Sequence, residues 1–341
     1  VETHRPTLIS VVLPAYNECE GLPIVLSSIF GALAKTEFAH EIIVVDDGST
    51  DETRQIMLGL CSSNPNLHYV RLSRNFGKEA ALSAGLKMAS GDAIILMDAD
   101  GQHPPTLIPA FLERWREGYE VVAGVQSARP ESWLKRRFKG MYYHLLEAGS
   151  SVVIPPDAGD FRLLDRKVVD AINALPERNR LMKGLYAWVG FRTALLPFQA
   201  QDRVAGQTKF TWMQLFRLAF TGLTSFTVIP LRLVSVAGVV ISCSSLLYGF
   251  YLLFEHYVLG DHLPGWATLS VGMMFSSGVQ LLALGIIAEY LGRTFEEVKQ
   301  RPIFIIAEDS RQTAGTHAAS PVYDATQLVT DAHLPKTPAI P

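Results

Sequence analysis

Two long stretches without a charged residue lie near the carboxyl end of this 341-residue chain, and they most constrain how it can fold. The first runs from Leu233 to Phe254 over 22 residues, and the second from Gly265 to Ala288 over 24 residues. At about 1.5 Å per helical residue, each is long enough to cross a hydrocarbon layer of about 30 Å. A buried core helix is the alternative, and the length disfavours it. We therefore expect two membrane-spanning helices.

Basic residues on the outer flanks of these stretches predict their orientation. They are Arg217 and Arg232 before the first stretch, and Arg293, Lys299 and Arg301 after the second. The connector, residues 255–264, contains no Lys or Arg. Because cytoplasmic loops carry the excess of Lys and Arg, both ends of this membrane segment are expected in the cytoplasm and the connector outside.

Before the membrane segment, short apolar runs alternate with stretches of helical spacing. Five runs predict strands, namely Ile9–Leu13, Ile42–Val45, Leu67–Leu72, Ala93–Met97 and Val121–Val125. This alternation predicts an α/β domain with a doubly wound, mostly parallel sheet. No GxGxxG follows the first strand and no GxxxxGK[ST] occurs. A dinucleotide-binding fold of the usual kind and a P-loop NTPase are therefore disfavoured.

The expected organisation has four parts. They are a cytoplasmic α/β domain at 1–209, juxtamembrane amphipathic helices at 210–232, two transmembrane helices with a short external loop at 233–292, and a cytoplasmic tail at 293–341. Trp212, Phe216 and Phe220 recur at four-residue spacing and favour a helix in the membrane interface, with a buried helix as the alternative. The tail from about Glu308 is rich in Ala, Thr, Pro and Asp and is expected to be disordered.

Three of the predicted strands end in polar clusters. The clusters are Tyr16 to Glu18, Asp46 with Asp47, and Asp98 to Asp100. Ligands bind at the carboxyl ends of strands in open α/β sheets, so the three clusters predict one binding crevice. In an extended segment, Asp98 and Asp100 point to the same side and repel unless a cation lies between them. A divalent metal bound to phosphate would remove this repulsion between the two carboxylates. The alternative interpretation is a solvated Asp-Gly turn.

Charge and cysteine usage exclude other classes. The net charge is −3, which does not suggest a nucleic-acid partner. Cys19, Cys61 and Cys243 are far apart and form no CxxC pair. A disulfide framework or a zinc site is not expected, and a reducing compartment is the default.

An ordered set of motifs carries a family resemblance. It comprises Pro14-Ala15-Tyr16-Asn17-Glu18, Val45-Asp46-Asp47-Gly48-Ser49-Thr50-Asp51, Arg74-Asn75-Phe76-Gly77-Lys78, Asp98-Ala99-Asp100-Gly101-Gln102-His103-Pro104 and Asp157-Ala158-Gly159-Asp160-Phe161-Arg162. The set resembles the family 2 glycosyltransferases of the GT-A fold, in the branch that uses polyisoprenyl phosphates. That branch includes bactoprenol glucosyltransferases and dolichol-phosphate mannose synthases. The resemblance covers about residues 8–300, and the paired spans are more similar to the bactoprenol enzymes.

The resemblance implies a nucleotide-sugar site with a divalent cation. The residues expected to bind the nucleotide sugar are Pro14, Tyr16, Glu18, Asp46, Asp47, Lys78, Asp98 and Gln102. Tyr16 and Glu18 would lie near the base and ribose, and Asp46 or Asp47 would accept a hydrogen bond from them. The residues expected to hold Mg2+ or Mn2+ with the pyrophosphate are Asp98, Asp100 and Gln102. The metal would neutralise charge on the departing nucleoside diphosphate, with Lys78 as a further point charge.

The acceptor side rests on the same resemblance. A lipid phosphate is already anionic near neutral pH, so positioning and charge stabilisation would do most of the catalysis. Arg203 and Lys209, in an element similar to the family's Arg-x-x-Gly-x-Ser-Lys, are the expected ligands of the acceptor phosphate. Asp157 is the expected catalytic carboxylate, which would orient the sugar or the acceptor or act as a base. Asp160 is expected to be secondary, and Arg162 to pair with one of these two carboxylates.

The leading hypothesis is an integral enzyme of the bacterial inner membrane. It would transfer one hexose, glucose from UDP-glucose, to undecaprenyl phosphate at the cytoplasmic face with inversion. Another donor (GDP-mannose or a UDP-amino-arabinose type), another lipid acceptor and a non-catalytic membrane scaffold are the alternatives. A homo-oligomer is left open, because two isolated spans often need helix partners, and Gly238, Ser242 and Ser245 would permit close packing.

Overall fold

The computed structural model describes residues 7–126, 158–178, 180–199, 229–259 and 265–313. Asp157, Arg203, Lys209 and the expected interfacial helices up to residue 228 lie outside these ranges. The strands are β1 (Leu8–Ala15), β2 (Ala39–Asp46), β3 (Leu67–Leu72), β4 (Ala93–Leu96), β5 (Val121–Gln126), β6 (Ala158–Asp165), β7 (Thr193–Phe198) and β8 (Ile306–Asp309). The helices are α1 (Leu22–Leu33), α2 (Thr53–Ser63), α3 (Lys78–Met88), α4 (Ile108–Arg116), α5 (Arg166–Ala174), α6 (Met182–Trp188), α7 (Ile229–Leu259), α8 (Trp266–Val298) and α9 (Ser310–Thr313).

The strands form one sheet in the order β7-β5-β6-β4-β1-β2-β3-β8. The five predicted strands are confirmed, and β4, β1, β2 and β3 run parallel as expected. The sheet is nevertheless mixed, because β6 runs antiparallel to both β4 and β5, and β8 antiparallel to β3. No strand is predicted from the sequence at β6, whose first residues were assigned only to a motif. Its pairing partners are distant in sequence.

Both faces of the sheet are covered by helices, which explains the continuous apolar runs of the central strands. In β1, Val11 and Leu13 face the core cluster that contains α1 and α4, whereas Val12 faces the cluster that contains α3. All three side chains are fully buried. The alternation fixes the strand register, and with it the edge at which the strands end.

Gly85 allows α3 to pack closely on the sheet. A Cβ atom at this position would lie 2.2 Å from Val12 Cγ1. We expect Gly85→Ala to lower the unfolding free energy by about 1–3 kcal/mol, since overpacking forces side chains out of their rotamers. Gly59→Ala in α2 is the matched control, because nothing lies within 4 Å of its added Cβ. Thermal unfolding in detergent measures both, and equal midpoints for the two variants would contradict the packing argument.

Helices α7 and α8 are long and apolar enough to cross a membrane by length and composition. Their candidate spans are Leu233–Tyr251 and Gly272–Val298, and neither window is buried inside the protein. The helices extend beyond the expected segment 233–292 at both ends. This finding agrees with the predicted pair of membrane-spanning helices.

The expected start of the disordered tail at about Glu308 is too early, because the chain is ordered up to Thr313. Residues 306–309 form β8, which adds to the edge of the sheet beside β3, and α9 continues to Thr313. A domain boundary at 209 therefore leaves out one strand of the sheet. The apolar run Ile303 to Ile306 is the sequence signal that could have indicated this strand.

Candidate active site

The three predicted polar clusters do meet at one edge of the sheet. They follow β1, β2 and β4, which are neighbours with a common direction. The loop after β1 is bound to the loop after β2. The Asn17 N–H donates to Ser49 Oγ, and the Thr50 N–H donates to Asn17 Oδ1, each at 2.9 Å. At the start of α2, the Thr53 N–H donates to Asp51 Oδ1 at 3.1 Å.

Asp46 is fully buried at the end of β2. Its carboxylate accepts hydrogen bonds from the Tyr69 hydroxyl at 2.5 Å and the Ser49 N–H at 2.7 Å. Arg71 Nε lies 3.6 Å from the same carboxylate. These neighbouring donors compensate the buried negative charge of Asp46. The hydrogen bond from Ser49 in turn fixes the start of the loop after β2.

Asp47 shapes the entry to α3. Its two carboxylate oxygens accept the N–H groups of Phe76 at 2.7 Å and Gly77 at 2.8 Å. Burial raises the pKa of Asp47, although these two backbone bonds act in the opposite direction. Asp46 and Asp47 therefore both organise loops, and a contact of either with a nucleotide stays a prediction. Tyr16, predicted to lie near the base, is 44% exposed beside them.

Lys78 at the start of α3 links two carboxylates. Its Nζ lies 2.6 Å from Asp98 Oδ1 and 2.8 Å from Asp160 Oδ2. Burial disfavours the ammonium, but the two carboxylates outweigh it and raise the pKa of Lys78. Burial likewise opposes the charge of Asp160, yet Lys78 holds the pKa of Asp160 below its usual value. Asp160, expected to be secondary, is thus part of the centre of the site.

The register of the sheet explains this contact. Strand β6 pairs antiparallel with β4, with Ala93 opposite Asp165 and Leu96 opposite Arg162. Continued by two residues, the same register brings Asp160 beside Asp98. Sequence spacing alone does not show this proximity, because the pairing is not local.

His103 supports Asp98 from the other side. The Asp98 N–H donates to His103 Nδ1 at 2.9 Å, so the neutral ring carries its proton on Nε2, which lies 3.9 Å from Asp98 Oδ2. Burial lowers the pKa of His103 and keeps the ring neutral. The ring stacks on Phe161 with a centroid distance of 4.8 Å. Sequence reasoning included His103 in a motif but gave it no role.

Asp98 and Asp100 suit a hard divalent cation. Asp100 Oδ1 accepts the Gln102 N–H at 3.0 Å across a turn at Gly101, whose φ is 77°. Within the described ranges, no group of three or more Asp, Glu, His or Cys residues is arranged so that it could hold a metal ion by itself. Two carboxylates fit a cation such as Mg2+, which is bound by one or two carboxylates and completes its shell with substrate phosphates and water. The Gln102 side chain as a metal ligand stays a prediction.

A buried polar group lies behind Lys78. The Arg162 guanidinium carbon sits 3.8 Å from the centre of the Tyr186 ring, and Arg162 also donates to the Gly159 carbonyl. Asp160 Oδ1, Arg162 Nε and the Tyr186 hydroxyl are buried and have no hydrogen-bond partner in the described part of the protein. The desolvated cluster gives the site a low dielectric on this side, which strengthens the ion pairs of Lys78.

Glu79 makes the stability of this region dependent on pH. It accepts the Met182 N–H at 2.9 Å, and burial followed by the charge of Asp160 raises its pKa from 4.5 to about 7. The folded state thus binds this proton more tightly than the unfolded state, so stability falls as pH rises from about 4.5 to above 7. We expect the melting temperature of the wild type to fall across this range relative to Glu79→Gln, as measured by thermal unfolding. Parallel pH profiles for the two proteins would contradict this.

The α/β sheet, with polar clusters at the ends of neighbouring parallel strands, agrees with a glycosyltransferase of the GT-A fold, and the family comparison shows this class. The chain belongs to glycosyltransferase family 2, since the family model for glycosyl transferase family 2 matches residues 10–172 and similar proteins match most of the chain. An uncharacterized glycosyltransferase of Synechocystis sp. is 44% identical over 88% of this chain and 95% of its own length.

Other relatives carry a more specific name. A prophage-derived bactoprenol glucosyl transferase of Shigella flexneri is 40% identical over 89% of this chain and 98% of its own length. A prophage bactoprenol glucosyl transferase homolog of Escherichia coli is 38% identical over 87% and 98%. Among solved structures the similarity is weak. A Pyrobaculum calidifontis mannosyltransferase in complex with GDP-Man and Mn2+ is 17% identical, with a TM-score of 0.42 over 87% of this chain and 88% of that one, which bears on neither substrate nor metal.

Proposed function

We propose that the protein transfers a single glucose from UDP-glucose to a polyprenyl phosphate, undecaprenyl phosphate, at the cytoplasmic face of a bacterial inner membrane. The observation that carries the proposal is the Lys78–Asp98–Asp160 site in a chain with two membrane-length helices. The match to proteins named bactoprenol glucosyl transferase over 98% of their length supports glucose as the sugar and a polyprenyl lipid as the acceptor. The basic flanks of the helices support the orientation.

In the proposed reaction, an oxygen of the lipid phosphate attacks the anomeric carbon of the sugar. The bond from that carbon to the diphosphate oxygen breaks, and its electron pair leaves with UDP, so the sugar is inverted. Asp98 and Asp100 would hold Mg2+ or Mn2+, which supplies positive charge to the departing diphosphate. Lys78 would add a second positive charge, and His103 and Asp160 would keep Asp98 and Lys78 in place. Arg203 and Lys209 would bind the acceptor phosphate, and Asp157 would orient the reacting groups.

A transfer assay with the full chain in detergent tests the proposal. Undecaprenyl phosphate is mixed with radiolabelled UDP- and GDP-sugars, each with Mn2+, with Mg2+ and with a chelator. We expect metal-dependent label in the lipid fraction from UDP-glucose. Label from another sugar would keep the reaction and change the donor. Nucleotide binding without any lipid product would refute undecaprenyl phosphate as the acceptor. Absence of both nucleotide binding and lipid product would refute the proposed enzymatic activity.

A further inference from the structure

The chain returns to the catalytic sheet after its second long apolar helix. Strand β8 pairs antiparallel with β3, with Arg71 opposite Glu308, and the Ser73 N–H donates to the Ile305 carbonyl at 2.9 Å. The Tyr69 N–H donates to Ser310 Oγ, also at 2.9 Å. A segment that follows both apolar helices in sequence therefore covers the edge strand beside the Asp46 loop.

The attachment begins at the last turn of α8. The Arg178 N–H donates to the Glu297 carboxylate at 2.9 and 3.2 Å, and the Arg178 guanidinium donates to the Arg301 carbonyl. Phe304 and Ile306 then pack against the core cluster that contains α3. The end of α8 and β8 are thus docked on the domain by a continuous series of contacts.

Alternating charges connect β8 to the loop after β2. Arg54 Nε lies 3.0 and 2.9 Å from the two carboxylate oxygens of Glu308. Arg71 Nη1 lies 3.8 Å from Glu308 Oε1, while Arg71 Nε lies 3.6 Å from Asp46 Oδ2. Arg71 Nη2 donates to the Ser49 carbonyl at 3.1 Å. Glu308 is therefore one contact away from the loop that starts at Asp46.

The position of Arg71 depends on these two carboxylates. Its Nε is buried and, in the described part of the protein, has no hydrogen-bond partner. Only Nη2 of Arg71 donates a hydrogen bond to Ser49. Its other two nitrogens, Nε and Nη1, are oriented by the charges of Asp46 and Glu308. Without the charge of Glu308, Arg71 loses one of its two carboxylate neighbours.

We propose that Glu308 is a positioning residue for donor binding. Through Arg71 it holds the loop at 46–49, and it makes the donor site depend on docking of the segment that follows the membrane helices. The inference rests on the proposed function, since it takes this loop as part of the nucleotide-sugar site. The ligand group that this loop would contact is the nucleoside part of a nucleoside diphosphate sugar, because the predicted base and ribose contacts lie on the loops after β1 and β2.

Glu308→Gln tests the inference, because it removes the charge and keeps the shape. With the full chain in detergent, we expect KM for the donor and Kd for UDP to rise about 2- to 5-fold, the range of a half-exposed ion pair. We expect kcat to stay within about 2-fold, because Glu308 touches no reacting group in the proposed site. A wild-type KM and Kd in Glu308→Gln would overturn the proposal.

Arg311→Ala is the matched control in the same segment. The Arg311 guanidinium donates to the Asp309 carboxylate at 3.2 Å and to the Met88 carbonyl at 2.9 Å, and neither partner belongs to the loop at 46–49. We expect this variant to lower the melting temperature and leave KM unchanged. An equal rise of KM in both variants would mean that β8 acts only through stability, which also overturns the proposal. If the wild type transfers no sugar, the proposed function fails, and UDP binding by the two variants still decides the role of Glu308.

Discussion

Replacement of Asp100 by Asn is expected to reduce sugar transfer at least about 100-fold without unfolding the protein. The Asn side chain keeps an oxygen that can accept the Gln102 N–H, so the turn at Gly101 can persist. The negative charge is lost, and with it one of the two carboxylates expected to hold the divalent cation beside the diphosphate. The loss should therefore appear in kcat and in metal binding, and not in stability.

The measurement pairs the transfer assay with Mn2+ binding followed by electron paramagnetic resonance. Asp170→Asn is the control, because Asp170 is a 63% exposed carboxylate on α5 that pairs only with Arg166 in the described structure. We expect wild-type transfer and metal binding from the control. Full activity of Asp100→Asn in the presence of metal would contradict the assignment of Asp100 as a metal ligand. A melting temperature far below that of the wild type would show that the change acts on folding.

Local sequence patterns predicted the parts of the site that lie on parallel strands. The runs that became β1, β2 and β4 are apolar on both faces, because helices cover both sides of the sheet. Strands of this kind end at a common edge, so Tyr16, Asp46 and Asp98 could be grouped from sequence alone. Lys78, which belongs to the motif at 74–78, is the first residue of α3.

Non-local antiparallel pairings explain what the sequence did not reveal. Asp160 reaches Lys78 only because β6 inserts beside β4 in the opposite direction, from a distant part of the chain. Strand β8 has only four residues, and it joins the edge of the sheet although two membrane-length helices separate it in sequence from the other strands. The local pattern of apolar residues does not indicate which strand β6 or β8 pairs with. The roles of Asp160 and Glu308 therefore emerged from the structure.

Replacement of Lys78 by Met is expected to separate metal binding from donor binding. The Lys78 ammonium already neutralises Asp98 at 2.6 Å, so it competes with a divalent cation for that carboxylate. Without it, Mn2+ alone should bind several-fold more tightly. The donor should bind more weakly, and transfer should fall about 10- to 100-fold, because one positive charge near the diphosphate is lost.

The opposite signs of these two effects make the Lys78 experiment decisive. Mn2+ is titrated by electron paramagnetic resonance without nucleotide, and the donor by transfer kinetics with saturating Mn2+. Lys167→Met is the control, since Lys167 forms an ion pair with Glu120 at 2.6 Å and is 55% exposed. A damaged fold would weaken both metal and donor binding, and a solvated Lys78 would change neither. If Lys78 competes with the cation for Asp98, Lys78→Met strengthens Mn2+ binding and weakens donor binding.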